Sequence, residues 1–154
     1  MRVVAVMLIV AHAGVGALWL GSMAYSLFIV QPRLAGLFRD PAGVERAHQH
    51  LAAGNRWPVA GMISALWLSG AGLVALGGGG AELGWWIGVT VKTALLAAAT
   101  GLFWWVSWRA WPRRVFALPD ELPGLRRRFR AAALVMLGLV GAAFAAGPLL
   151  GLVS

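Results

Sequence analysis

Four long apolar stretches, at about residues 3–30, 57–76, 84–108 and 131–153, constrain this chain more than anything else in it. A helix needs about 20 apolar residues to cross a hydrocarbon core. Each stretch is long enough, and none alternates polar with apolar residues as barrel strands do. The bilayer interior offers no water to backbone N–H and C=O groups, so each stretch is expected to be a helix. The predicted fold is all-α: a polytopic membrane protein built as a four-transmembrane-helix bundle, one domain over residues 1–154. Composition agrees, with 60% hydrophobic and 12% charged residues against about 25% charged in soluble domains. Met1-Arg2 before an apolar run, with Ala11-His12-Ala13 as an A-x-A, has the look of a signal peptide. Cleavage there would leave a leader shorter than the usual ~15 residues. The run also continues to Val30, so a retained first span is expected.

The basic residues orient the bundle. Arg33, Arg39, Arg46 and Arg56 lie between the first two stretches. Arg109, Arg113, Arg114, Arg126, Arg127, Arg128 and Arg130 lie between the last two. Only Arg2 falls on the opposite side. The positive-inside rule then puts both arginine-rich loops in the cytoplasm and both termini outside, in a cell inner membrane. The net charge of +8 is thereby explained by topology and by anionic lipid headgroups, not by nucleic acid. Trp57, Trp104, Trp105, Trp108 and Trp111 mark the inner interface, and Trp85 and Trp86 the outer one, as aromatic belts. Gly77-Gly78-Gly79-Gly80 reads as a short turn, and no convincing internal repeat is seen. Small residues recur at four-residue spacing: Ala13, Ala17 and Gly21; Gly61, Ala65 and Ser69; Gly138, Ala142 and Ala146. Such stripes are expected where helices approach closely in lipid.

Two ionisable residues remain inside the apolar stretches, His12 and Lys92. At about 1.5 Å per residue, His12 lies roughly 14 Å below Val3 and Lys92 about 12 Å below Gly84. Both fall in the outer half of the bilayer. His12, Gly16, Trp19 and Met23 share a helix face, which is expected to point inward. An intramembrane ionisable group is costly and usually functional. His12 is either a metal or haem-iron ligand through a neutral imidazole, or a histidine satisfied by a hydroxyl or a backbone carbonyl. Lys92 is either the partner of an anion such as a carboxylate or haem propionate, or it snorkels outward along its stem. Met7 is the methionine nearest His12 in depth and the candidate second copper ligand; methionine is ordinarily filler in such helices. His48 and His50 make a His-x-His, but residues two apart on a helix do not share a face. The chain has no cysteine, which excludes disulfides and thiolate sites. Nucleotide-loop, HExxH and paired-carboxylate signatures are also absent.

His12, Trp19, Gly21 and Tyr25, then Pro32-Arg33-Leu34, Trp85-Trp86 before Lys92, and the Arg126–Arg130 cluster resemble two related membrane groups. These are the copper resistance protein D (CopD) domain and the HemJ-type protoporphyrinogen oxidase. The chain departs from both. Arg130-Ala131-Ala132-Ala133 lacks the acidic segment that enters the last span, and Phe103 stands where HemJ-type proteins often carry a second histidine. The CopD resemblance implies copper handling, uptake or tolerance, through His12 with Met7, with a partner protein or a second copy. The HemJ resemblance implies a b-type haem with His12 axial and Lys92 near a propionate, as a redox protein or, if an enzyme, a protoporphyrinogen oxidase. The third reading is a structural subunit of a larger membrane complex, with His12 merely hydrogen-bonded.

Overall fold

The computed structural model describes residues 2–38, 40–52, 54–77, 82–118 and 120–153, with side chains for all of these except 41 and 148–153. Gly78–Gly80 of the expected turn, and Arg39, lie outside them. Five helices and no strand occur among the described residues: α1 (Arg2–Leu37), α2 (Pro41–Ala52), α3 (Arg56–Gly77), α4 (Leu83–Val115) and α5 (Leu122–Val153). α1, α3, α4 and α5 are each long and apolar enough to cross a membrane. The chain is a multi-pass helical membrane protein.

Three of the four helices outrun their apolar stretches. α1 has 36 residues and α4 has 33, lengths of about 50 Å against a core of about 30 Å. α5 begins at Leu122, well before the expected residue 131. The apolar signal stops at the first arginines, but the helical hydrogen bonds do not. Prolines near both junctions are accommodated the same way. Pro32 and Pro112 lack an N–H and crowd the carbonyl four residues back. In each case a π turn sits just upstream, Ser26–Val30 and Trp105–Ala110. The Gln31 N–H then donates to Ser26 O and the Trp111 N–H to Val106 O, both five residues back. One extra residue in the turn thus keeps the helix running through the proline. The device occurs twice, at the ends of the first and third spans, although no sequence repeat announces it.

α2 is short and amphipathic. The Asp40 carboxylate caps its start, accepting from the N–H groups of Ala42 and Gly43, both at 3.0 Å. Pro41 occupies the first position, where no N–H is needed. Gly54 turns the chain into α3 at φ +78°, a conformation that favours glycine.

α1 packs against α3 and α5, and α4 against α5. The Trp67 indole N–H donates to Thr100 Oγ1 at 3.2 Å, linking α3 to α4. Every span gives a side chain to the core: Trp19 from α1, Ile63 and Leu66 from α3, Ala99 from α4, Met136 and Val140 from α5. Large apolar side chains elsewhere face outward, among them Val10, Leu18, Leu68 and Ile87, as expected of a surface meeting lipid rather than water. Gly16 and Trp19 are buried on the inward face of α1, with Met23 packed on the core.

The small-residue stripe expected on α1 points the wrong way. Ala13, Ala17 and Gly21 are exposed, and the glycine that meets a neighbour is Gly16, whose Cβ would stand 3.4 Å from the Phe144 ring. On α5, Gly138 and Ala142 are likewise exposed; on α3, Gly61 is exposed and Ala65 and Ser69 are half-buried. Four-residue spacing marks a face without saying which way it turns. Here the bulk of Trp19 fixes the direction.

Candidate functional site

His12 and Lys92 each reach from their own span to a neighbouring one. His12 faces α3, where its Nδ1 lies 2.8 Å from Ser69 Oγ. A Cβ on Gly70 would meet the imidazole Cε1 at 3.4 Å, so the glycine lets the ring lie close to the α3 backbone. Lys92 reaches from α4 to α5, where a Cβ on Gly147 would stand 3.4 Å from its Nζ. Both side chains are half-buried. Lys92 makes no ion pair or side-chain hydrogen bond among the described residues.

The Ser69 contact engages Nδ1 and leaves Nε2 as the other ring nitrogen. Ser69 Oγ donates to Ala65 O at 2.5 Å, closing the i−4 bond typical of serine in a helix. A hydroxyl has one proton. With that proton directed to Ala65 O, a neutral imidazole donates its Nδ1–H to Ser69 Oγ and carries its lone pair on Nε2. Such a second hydrogen bond, which fixes the tautomer and the ring orientation, is what a metal-ligating histidine ordinarily has.

Met7 does not join this arrangement. It is 68% exposed on the outer face of α1. It is five residues from His12, so the two side chains diverge by about 140° around the helix. Met62 packs on the core and Met136 is part of it, as ordinary filler. His48 is half-buried and its Nδ1–H donates to Val44 O at 3.1 Å, while His50 is exposed. No group of three or more His, Cys, Asp or Glu side chains suited to a metal occurs among the described residues.

A second polar centre, at the arginine-rich end, is invisible to a count of arginines. Arg114 donates from Nε to Glu45 Oε1 at 2.7 Å and from Nη2 to Oε2 at 3.0 Å. Arg126 Nε donates to the same Oε2 at 3.1 Å. Glu45 and Arg114 are 5% and 8% exposed, so this is a buried cluster rather than a surface pair. The Arg114 guanidinium also lies over the Phe129 ring at 5.0 Å and the Trp111 ring at 5.7 Å. Burial pushes the Glu45 carboxyl up, but the hydrogen bonds and charges of Arg114 and Arg126 outweigh it and hold the group below its ordinary range. The cluster ties α2 to the ends of α4 and α5. The one sequence signal for it is an acid next to Val44 on the apolar side of an amphipathic helix.

His48 borders this cluster. Burial, and then the charges of Arg114 and Arg126, push its imidazole below the ordinary range, against the opposing pull of Val44 O and the Glu45 carboxylate. A depressed folded-state value means that acid protonates the unfolded chain first. The contribution is complete above about pH 6.5 and declines as the pH falls below it. His48→Gln is expected to flatten the pH dependence of thermal stability between about pH 6.5 and 5. Melting curves of the variant and the wild-type protein that run parallel through that window would show His48 to be irrelevant to it.

Scanned against family models, curated proteins and solved structures, the chain matches none.

Proposed function

We propose that this is an inner-membrane protein, with its arginine-rich end in the cytoplasm and both termini outside, that binds a b-type haem through His12. The observation that supports the reading is the His12–Ser69 contact, which engages Nδ1 and leaves Nε2 as the ring nitrogen that would take the iron. Lys92 supplies the complementary charge, an ammonium with no protein counter-ion among the described residues, suited to a propionate. The resemblance to the HemJ-type group points to the same ligand. When bound, the haem would bring redox chemistry; the chain's own part is to orient the imidazole and balance the carboxylates. Phe103, which lies edge-on to Trp108 at 5.9 Å, offers no second ligand where that group often has one. Oxidase activity is therefore not part of the proposal.

Copper handling of the CopD kind fits these residues less well. A single chain offers copper one imidazole, and Met7 faces away. That reading requires a second copy or a partner protein.

The test is the absorption spectrum of protein purified in mild detergent from haem-supplied cells. A Soret band is expected in the wild-type protein and not in His12→Ala. Ser69→Ala should weaken haem affinity by roughly 10- to 100-fold, the usual effect of losing an orienting partner. A wild-type protein without a Soret band sinks the haem reading. Copper loading followed by elemental analysis then tests the alternative, and equal copper in wild type and His12→Ala would leave His12 a structural, hydrogen-bonded residue.

A further inference from the structure

At the opposite end from His12, the outer flank of α4 and α5 holds a groove with an unusual charge pattern. Its narrow part is a hollow of about 170 Å³. The π turn of α4 supplies one wall, with Trp105, Val106 and Ala110, and Leu125, Phe129 and Ala132 of α5 supply the other. Three guanidinium groups, Arg109 and Arg113 from α4 and Arg128 from α5, line this apolar hollow. A wider hollow of about 480 Å³ adjoins it and shares Arg113, Leu125 and Arg128.

These arginines differ from their neighbours. Arg114 and Arg126 turn inward onto Glu45. Arg109, Arg113 and Arg128 have no carboxylate partner among the described residues. The carboxylate bordering the wider hollow, Glu121, accepts instead from the Leu118 N–H at 3.1 Å. The groove thus combines three arginines that form no ion pair among the described residues with apolar walls, and Trp105 on its lining is 48% exposed. That combination excludes a soluble polyanion as the best fit, since the walls would stay unmatched. It also excludes a neutral lipid, since the charges would.

We propose that this groove is a binding site for an anionic phospholipid, with its phosphate held by Arg109, Arg113 and Arg128 and its glycerol and upper acyl region against Trp105 and Phe129. Basic pockets between spans on the cytoplasmic side are suited to such headgroups, and planar guanidinium groups bind phosphate oxygens in pairs. This inference does not depend on haem at His12. It narrows a general attraction of the arginine-rich end for anionic lipid to one site.

Native mass spectrometry of the full chain, released from micelles doped with phosphatidylglycerol or phosphatidylcholine, tests it. Retained phosphatidylglycerol is expected, with little phosphatidylcholine. The triple variant Arg109→Gln, Arg113→Gln, Arg128→Gln should lose roughly 100-fold in affinity, from about fivefold per arginine. The double variant Arg127→Gln, Arg130→Gln removes two exposed arginines that do not line the groove and should retain binding within a few-fold. Equal losses in the two variants would reduce the effect to unspecific surface charge and overturn the site. So would equal retention of the two lipids, or displacement of the lipid by inorganic phosphate at matching concentration. Unchanged thermal midpoints in both variants exclude misfolding as the cause.

Discussion

Glu45→Ala is expected to destabilise the protein by about 3–5 kcal/mol, the usual cost of removing one member of a buried ion pair. The loss is not that of one attraction. Arg114 is 8% exposed, and with Glu45 gone it keeps no carboxylate partner among the described residues, while the faces of Phe129 and Trp111 remain beside it. Arg126, the more exposed partner, can turn to water at smaller cost. Adding Arg114→Met to Glu45→Ala should therefore recover much of the loss, because it removes the stranded charge. Thermal or SDS-induced unfolding in micelles reads both numbers. A single-variant loss under about 1 kcal/mol would mean that the cluster behaves as a solvated surface pair. The pH dependence has a definite sign. The Glu45 carboxyl is held below its ordinary range, so its contribution is present above that range and disappears as the pH falls through the folded-state value. Glu45→Gln should lack this acid limb.

The reasons this cluster escaped the sequence also explain what did not escape. Spans are written locally: about 20 apolar residues carry their own instruction to be helical in lipid. The inward face of α1 is local too, since His12, Gly16, Trp19 and Met23 follow helical spacing and a tryptophan is too large to be placed indifferently. Glu45, by contrast, meets Arg114 and Arg126 across 69 and 81 residues. Arginines counted as topology give no hint of which two turn inward. His12 meets Ser69 across 57 residues, and Ser69 read in sequence as one more small residue in a packing stripe. Matching depth placed His12 and Lys92 at one level of the bilayer, and the neighbours they meet are Ser69 and Gly70 for one and Gly147 for the other. Depth says nothing about azimuth, however, and that is why Met7 looked like a partner for His12 and is not one. The overlong helices have a third cause: hydropathy reports where lipid ends, while the hydrogen-bond ladder continues past it through two π turns.

Trp19→Ala is expected to cost about 3–5 kcal/mol, the range for truncating a large buried aromatic. Trp19 is 1% exposed and is the largest fully buried side chain among the described residues. It is the contribution of α1 to a core made otherwise of Ile63, Leu66, Ala99, Met136 and Val140. In lipid the burial of apolar surface gives little drive, because acyl chains are as apolar as the core. What the indole supplies is close contact, so its loss is felt as lost dispersion and a cavity between all four spans. Trp19→Phe should lose less than Trp19→Ala, because the phenyl ring fills part of that space. Trp19 also lies on the same inward face as His12, so loosening α1 there should relax the seat that Ser69 gives the imidazole. A functional consequence follows: if His12 ligates haem, Trp19→Ala should weaken haem retention without abolishing the Soret band, whereas His12→Ala abolishes it. Unfolding of Trp19→Ala at the wild-type midpoint would show that the indole adds nothing to stability, detergent or lipid filling the gap.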